Sequence, residues 1–183
     1  MLWWIIGIII ALIVLIFFIY YNRFAILSNR IDNSLSQIDV QLKRRADLIP
    51  NLVKTVKGYA KHEKGAIKAV TEARKALVNA KGIEKKVAAN KQLEGALKTI
   101  FAIAENYPQL RANENFLELQ RELSSTEDKV AYARQYYNDS ILAYNDLCKT
   151  FPGKLFAGLY GKKPKEYLKI TEAERKVVKV KFD

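Results

Sequence analysis

One histidine and one cysteine are the side chains of this 183-residue sequence best suited to proton transfer or nucleophilic attack. His62 stands next to Glu63, and an imidazole beside a carboxylate is a pairing that general bases use. No motif links a nucleophile to His62, and the surrounding stretch KGYAKHEK is rich in lysine, which favours an exposed helical histidine. Cys148 follows the apolar Leu147, so a small half-buried side chain is favoured over a reactive thiol.

The same scarcity limits metal and cofactor chemistry. One histidine and one cysteine cannot supply a zinc site of the usual kind, and a single cysteine excludes an intrachain disulfide. The sequence contains no GxGxxG, Walker, HExxH or GxSxG motif. We therefore expect no catalytic residues, no bound metal and no cofactor, and we predict that the protein is not an enzyme.

The most regular spacing of charged residues is a series of lysines in a chain of net charge +12. Intervals of three, four and seven residues place them on one face of a predicted helix: Lys54, Lys57, Lys61, Lys64, Lys68 and Lys75. This basic face predicts a surface for anionic lipid or for a partner. Pairing with Glu114, Glu118 and Glu122, or plain solvation, stays open. Nucleic acid is the least favoured ligand, because residues 43–91 contain one aromatic side chain, Tyr59.

The helix that carries these lysines follows a membrane segment. Residues 2–21 read LWWIIGIIIALIVLIFFIYY without a charge, and about 20 apolar residues span the hydrocarbon core as a helix. Pairs of Trp and Tyr stand at its ends, where aromatic rings prefer the headgroup region. The segment lacks the positive first region and the small-residue cleavage site of a signal peptide. We predict a single-pass, uncleaved anchor over residues 1–22.

Positive charges near the span predict its orientation. Arg23, Arg30 and the basic residues 43–45 follow the span, whereas only Met1 precedes it. The positive-inside rule then places the C-terminal body in the cytoplasm.

Apolar residues recur at helical intervals through the rest of the chain. A first stripe runs from Phe24 to Ile49 and keeps its phase beyond Pro50, which favours a kinked helix over a reversal of the chain. A second arm follows Gly82 and ends before Pro108.

The third predicted arm is the most regular. Heptad spacing runs from Phe116 to Phe151, with Asn115 and Glu118 as an N-cap pair. Short connections require neighbouring arms to be antiparallel. We predict an all-α fold in which a single N-terminal transmembrane helix continues into an elongated antiparallel helical bundle over residues 23–152. Asn138 and Asn145, seven residues apart, are interpreted as polar groups that set the register against a partner helix.

A basic loop and tail form the predicted third segment, residues 153–183. Its apolar residues predict a docking loop that either caps the bundle end or meets a membrane or a partner. They also predict a strand-like tail that is either docked on a neighbour or frayed. They are Leu155, Phe156, Leu159 and Tyr160 in the loop and Val178, Val180 and Phe182 in the tail.

Two long stretches resemble a known family. YNRFAILSNRIDNSLSQIDVQLKRRADLIPNLVKTVKGYAKHE and YARQYYNDSILAYNDLCKTFPGKLFAGLYG are similar to the hallmark segments of the LemA family of bacterial membrane proteins. The resemblance implies a single-span protein with a helical body and without established enzymatic activity. It also implies the inner (plasma) membrane of a bacterium, and since some family members are encoded beside membrane proteases, a protease is one implied partner.

These observations predict a non-enzymatic scaffold or self-assembling organiser at the membrane. It would contact membrane lipid and form a homo-oligomer, with coiled-coil-like packing of its helices. Two alternatives stay open: an adaptor that presents substrates or partners to a membrane protease, and an anionic-lipid-binding protein. A nucleic-acid binder would show a steep loss of affinity with salt.

Overall fold

Helices are the regular secondary structure of the part described by the structure, a computed structural model that describes residues 1–168. The helices within this range are α1 Leu2–Tyr59, α2 Lys64–Asn79, α3 Ile83–Ala104, α4 Pro108–Arg111, α5 Glu114–Lys149 and α6 Gly153–Leu159. The predicted all-α class with an apolar N-terminal helix is confirmed. The predicted tail residues Val178, Val180 and Phe182 lie outside the described residues.

The helices contribute to two compact units. We call residues 1–31 with 137–168 the anchor unit, and residues 32–136 the body unit. Both α1 and α5 provide residues to each unit. The predicted segment boundaries after residues 22 and 152 stay a prediction.

The first turns of α1 have the character of a membrane span. Every side chain of residues 1–19 is exposed, and the helix is long and apolar enough to cross a membrane. Large apolar side chains exposed on all sides of a helix are unfavourable in water but favourable in hydrocarbon. The exposure is therefore inconsistent with the alternative of a buried core helix.

Helix α1 continues through Pro50, as the unbroken apolar stripe predicts. Proline has no N–H, so the carbonyl of Ala46, four residues earlier, loses its helical donor. Arg74 of α2 replaces that donor, with its Nε donating to the Ala46 carbonyl at 2.8 Å. An unpaired carbonyl in a packed helix would be costly, so this long-range hydrogen bond compensates for the proline.

The reversal of the chain occurs later, so the apolar stripe beyond Pro50 is divided between α1 and α2. α1 ends at Tyr59, a turn follows, and α2 returns along α1. Two contacts hold the turn to the segment around α4: the Tyr107 hydroxyl donates to Glu63 Oε1 at 3.0 Å, and Asn113 Nδ2 donates to the Tyr59 hydroxyl at 3.1 Å. Gly58, a poor helix former, precedes the end of α1.

The body unit has an aliphatic core built from the predicted stripes. Its fully buried members include Ile38, Ile49, Leu52, Val70, Leu93, Leu97, Ile100, Leu110 and Leu123. α2 and α3 pack on each other, joined by a short turn in which Gly82 has φ +82°, a conformation that favours glycine. Arg44 pairs with Glu122, and Tyr59 bonds Asn113, so α5 runs antiparallel to α1 in this unit.

A charged side chain lies within this core. Arg45 is 1% exposed; its Nη1 donates to Asn90 Oδ1 of α3 at 3.1 Å, and its Nη2 to Glu127 Oε2 of α5 at 3.0 Å. Arg45 therefore joins three helices. From the sequence, Arg45 was interpreted only as a basic residue after the span. The available signal was its position three residues after Leu42 and four before Ile49, on the apolar face.

Helix α5 follows the predicted heptads with two corrections at its ends. Asn113, not Asn115, is the N-cap, because its Oδ1 accepts the N–H of Phe116 at 3.0 Å, three residues on. Phe151 is exposed, not part of the stripe, because α5 ends at Lys149 before the helical spacing reaches it.

Candidate functional site

Two asparagines of α5 bind the backbone of the segment after α6. Asn145 Oδ1 accepts the N–H of Lys165 at 2.7 Å, and its Nδ2 donates to the Lys165 carbonyl at 2.9 Å. Asn138 makes the same pair of bonds with Leu168, at 2.9 and 3.1 Å. We call Asn138 and Asn145 the asparagine clamp.

The spacing of the clamp suits an extended peptide. Seven helical residues rise about 10.5 Å, and three extended residues cover about 10 Å, so residues 165 and 168 meet successive asparagines. The interpretation that Asn138 and Asn145 set the register against a partner helix is wrong, because they bind an extended segment. A carboxamide has a donor and an acceptor side by side, as a peptide group of a strand does.

Aromatic rings join α6 to the end of the span in the anchor unit. Phe156 stacks on Tyr20 with ring centroids 4.6 Å apart, and Tyr160 packs edge-on against Phe17 at 5.0 Å. The Tyr160 hydroxyl also donates to the Phe17 carbonyl at 2.6 Å. On the other side of α6, a Cβ on Gly153 would collide with the carbonyl of Leu147, so this close approach needs glycine.

The predicted docking loop is therefore a short helix with two different faces. Phe156 and Tyr160 are half-buried against α1, whereas Leu155 and Leu159 are 59% and 70% exposed. The four residues that the sequence analysis grouped together are divided between a packed face and an open one.

The lysines lie on two helices and on the turn between them, not on a single helix. Lys57, Lys61, Lys64, Lys68 and Lys75 line a shallow groove of about 650 Å³ between the end of α1 and α2. We call these five residues the lysine groove. Lys57 is in α1, Lys61 is in the turn and Lys64 begins α2, which is why the predicted straight face is wrong.

The sixth lysine and the predicted acidic partners lie elsewhere. Lys54 lines a neighbouring groove with Pro50 and Arg74. Glu122 binds Arg44 at 2.7 Å, while Lys68 lies 3.8 Å from Glu72 of its own helix. Of the acidic partners left open by the sequence, Glu122 thus pairs with an arginine, while Lys54 lines a groove together with Glu118 and Glu122.

A further groove escaped the sequence analysis. It lies between α1 and α5 of the body unit and measures about 630 Å³. Tyr132 is 77% exposed and Val40 61% exposed, with Tyr136 beside them. The remaining lining residues are Asn33, Ser36, Gln37, Gln41, Lys129 and Ala133. We call it the tyrosine groove; its signal was two tyrosines four residues apart and off the apolar stripe.

The residues best suited to catalysis are not assembled into a centre. Cys148 is buried, and burial raises the pKa of its thiol, although a hydrogen bond with Tyr144 acts in the opposite direction. The thiol is therefore protonated at neutral pH and poorly nucleophilic. His62 is exposed in the turn before α2, and within residues 1–168 no three His, Cys, Asp or Glu side chains are grouped to hold a metal ion.

The comparison with known proteins supports the family resemblance of the two hallmark segments. The model of the LemA family matches residues 34–182, which include the clamp, the lysine groove and the tyrosine groove except for Asn33. The chain belongs to the LemA family. Its similarity to the hallmark segments, stated from the sequence, is confirmed.

Relatives of this LemA-family chain include two differently named groups. Magnetosome protein MamQ of Magnetospirillum gryphiswaldense is 27% identical over 173 residues, covering 80% of this chain and 64% of the relative. Protein LemA of Metamycoplasma hominis is 28% identical over 143 residues, covering 74% of this chain and 64% of that protein. The chain thus spans less than two thirds of the length of these relatives. Neither name denotes an enzymatic activity.

Family membership and the exposed apolar helix together identify a membrane-associated helical protein. Its most distinctive features are surfaces: a clamp for extended backbone, a lysine groove and a tyrosine groove.

Proposed function

We propose that this LemA-family chain is a non-enzymatic scaffold whose copies associate side by side at a bacterial inner membrane. The observation that carries the proposal is the tyrosine groove. Exposed tyrosine rings with a neighbouring valine are the kind of surface that dominates binding energy in protein interfaces. In this interface the tyrosine groove of one copy packs against the tyrosine groove of a second copy.

Charge favours this groove over the lysine groove. A chain of net charge +12 repels its own copies. Among the lining residues of the tyrosine groove, Lys129 is the charged one, and the others are apolar or neutral amides and hydroxyls. Two copies therefore meet there with less electrostatic repulsion than at the lysine groove, and the amides supply hydrogen bonds at the rim.

Anchoring favours association as well. Copies that enter the bilayer in one orientation present the same face at the same depth, and confinement to a membrane raises their effective concentration. Arg23 and Arg30 after the span support a cytoplasmic body. Weak contacts between anchored copies then suffice for assembly.

Cross-linking in membranes tests the proposal. In a Cys148→Ala background, Ser36→Cys places a thiol in the tyrosine groove, and Val78→Cys places one on α2, where Val78 is similarly exposed. A bismaleimide should link copies through residue 36 and leave the Val78→Cys control monomeric. Adding Tyr132→Glu should weaken association about tenfold, equivalent to about 1.4 kcal/mol.

Native mass measurement in detergent provides the independent readout. The proposal predicts multiples of the single-chain mass that Tyr132→Glu reduces. A single-chain mass together with equal cross-linking at residues 36 and 78 would contradict self-association.

A second candidate is an adaptor for an acidic partner, such as a membrane protease or its substrates. The lysine groove favours it, because five ammonium groups converge on one depression. A monomer that copurifies with a membrane protease, and loses it when Lys57, Lys61 and Lys64 become Gln, would favour the adaptor over the scaffold.

A further inference from the structure

We propose that α6 lies in the membrane interface, where it binds anionic lipid headgroups beside the span. Phe17 belongs to the uncharged segment of residues 2–21, and its carbonyl accepts the Tyr160 hydroxyl at 2.6 Å. Phe156 stacks on Tyr20, near the end of that segment. A helix that contacts these span residues is held at the depth where hydrocarbon gives way to headgroups.

The open face of α6 is suited to that depth. Leu155 and Leu159 are one helical turn apart, share a face and are largely exposed. In water these two side chains expose apolar surface to solvent, which is unfavourable. At the boundary of the acyl chains the same surface is removed from water. Phe156 and Tyr160 hold the neighbouring face against the span, so the leucines lie next to lipid.

The charges around α6 match anionic headgroups. Lys154 lies in α6, Lys162 and Lys163 follow it, and residues 150–165 contain no Asp or Glu. Lysine stems extend along apolar surface while their ammonium groups reach the headgroups, and each is attracted to an anionic leaflet. The asparagine clamp binds the backbone of Lys165 and so holds the chain that follows these lysines.

The lysine groove is less suited to this role. It belongs to the body unit, and the span belongs to the anchor unit. α6 contacts the span directly. α6 also shares no residue with the tyrosine groove, so lipid contact and self-association can be lost separately.

Fluorescence quenching of the full chain tests the placement. With Trp3→Phe and Trp4→Phe removing the native indoles, Leu159→Trp provides one reporter on the open face, and Leu155→Trp repeats the test one turn away. In vesicles of phosphatidylcholine with phosphatidylglycerol, brominated acyl chains should quench both reporters and their emission should move to shorter wavelength. Val78→Trp in the same background is the control, because Val78 is exposed on α2 and lies outside the tyrosine groove, and it should show neither change.

The lipid charge provides the second arm. Quenching of Leu159→Trp should decrease in pure phosphatidylcholine, and changing Lys154, Lys162 and Lys163 to Gln should abolish the difference between the two vesicles. Equal quenching in both vesicles before that change would overturn the headgroup contact. Unquenched reporters at both 155 and 159, with helical circular dichroism retained, would overturn the interfacial placement and leave a protein partner as the occupant of this face.

Discussion

The two units of the molecule satisfy their interior polar groups by different means. In the described part of the anchor unit the buried polar side chains are Ser140 and Asn145, which are neutral. The body unit also buries neutral side chains, Ser34 and Thr126, but in addition it buries Arg45 and uses the half-buried Arg74 to bond a backbone carbonyl. The anchor unit thus uses carboxamides and aromatic rings, whereas the body unit adds guanidinium groups to an aliphatic core.

The difference follows from the surroundings of each unit. The anchor unit contains the span, and a charge near hydrocarbon is costly unless fully compensated. Neutral amides can bind backbone there without that cost. The body unit can hold a guanidinium because Glu127 and Asn90 accept its hydrogen bonds and because Glu127 is itself half-exposed. The comparison predicts how strongly each unit depends on its polar residues.

The largest effect is expected at Arg45. Arg45→Ala removes two interhelical hydrogen bonds and leaves a cavity in the core, which should lower the free energy of unfolding by about 3 kcal/mol. Arg44→Ala is the matched control: Arg44 also pairs with a glutamate of α5, but both groups are about half-exposed, so the cost should be about 0.5 kcal/mol. Thermal unfolding of the full chain in detergent, followed by circular dichroism, measures both. Equal losses would contradict the importance of the buried guanidinium.

The asparagine clamp should be next in magnitude. Asn145→Leu deprives the N–H and carbonyl of Lys165 of their partners, at a cost of about 2 kcal/mol. Cleavage by trypsin after Lys165, followed by mass spectrometry, should accelerate because the segment is released. Asn115→Leu, on an exposed part of the same helix, should change neither the stability nor the rate of cleavage after Lys165. Unchanged cleavage in Asn145→Leu would show that the clamp does not hold the segment.

Loss of the hydrogen bond between Arg74 and α1 should lower stability by a smaller amount, and only while Pro50 is present. Arg74→Met leaves the Ala46 carbonyl without a donor and should cost about 1 kcal/mol. In a Pro50→Ala background the N–H of residue 50 bonds that carbonyl, so the same substitution should cost almost nothing. The double-mutant cycle should give a coupling of about 1 kcal/mol. If the two substitutions changed the free energy of unfolding in a strictly additive way, Arg74 would not be compensating for the proline.

The smallest effect is expected on the lysine groove. Lys61 is exposed and lines the groove with four other lysines. Lys61→Asp relieves like-charge repulsion and should raise stability by no more than about 0.5 kcal/mol. A loss comparable to that of Arg45→Ala would mean that the lysine groove is part of the folded core.

Patterns that repeat along the chain could be predicted from the sequence. The stripe from Phe24 to Ile49 and the heptads from Phe116 to Leu147 were recognisable because helical periodicity depends on neighbours three and four residues away. The span was recognisable because about 20 consecutive apolar residues carry no charge. The passage of α1 through Pro50 followed from the same phase. The family followed from two long segments with characteristic residues.

The contacts that give the surfaces their form were decided by the tertiary structure. The turn after Tyr59 depends on Tyr107 and Asn113, and the carbonyl released by Pro50 depends on Arg74. Asn138 and Asn145 were visible as a pair, but their ligand, an extended backbone, was not. A hydrogen bond between residues far apart in the chain leaves no periodic trace, because it requires only two compatible groups that the packing of helices brings within reach.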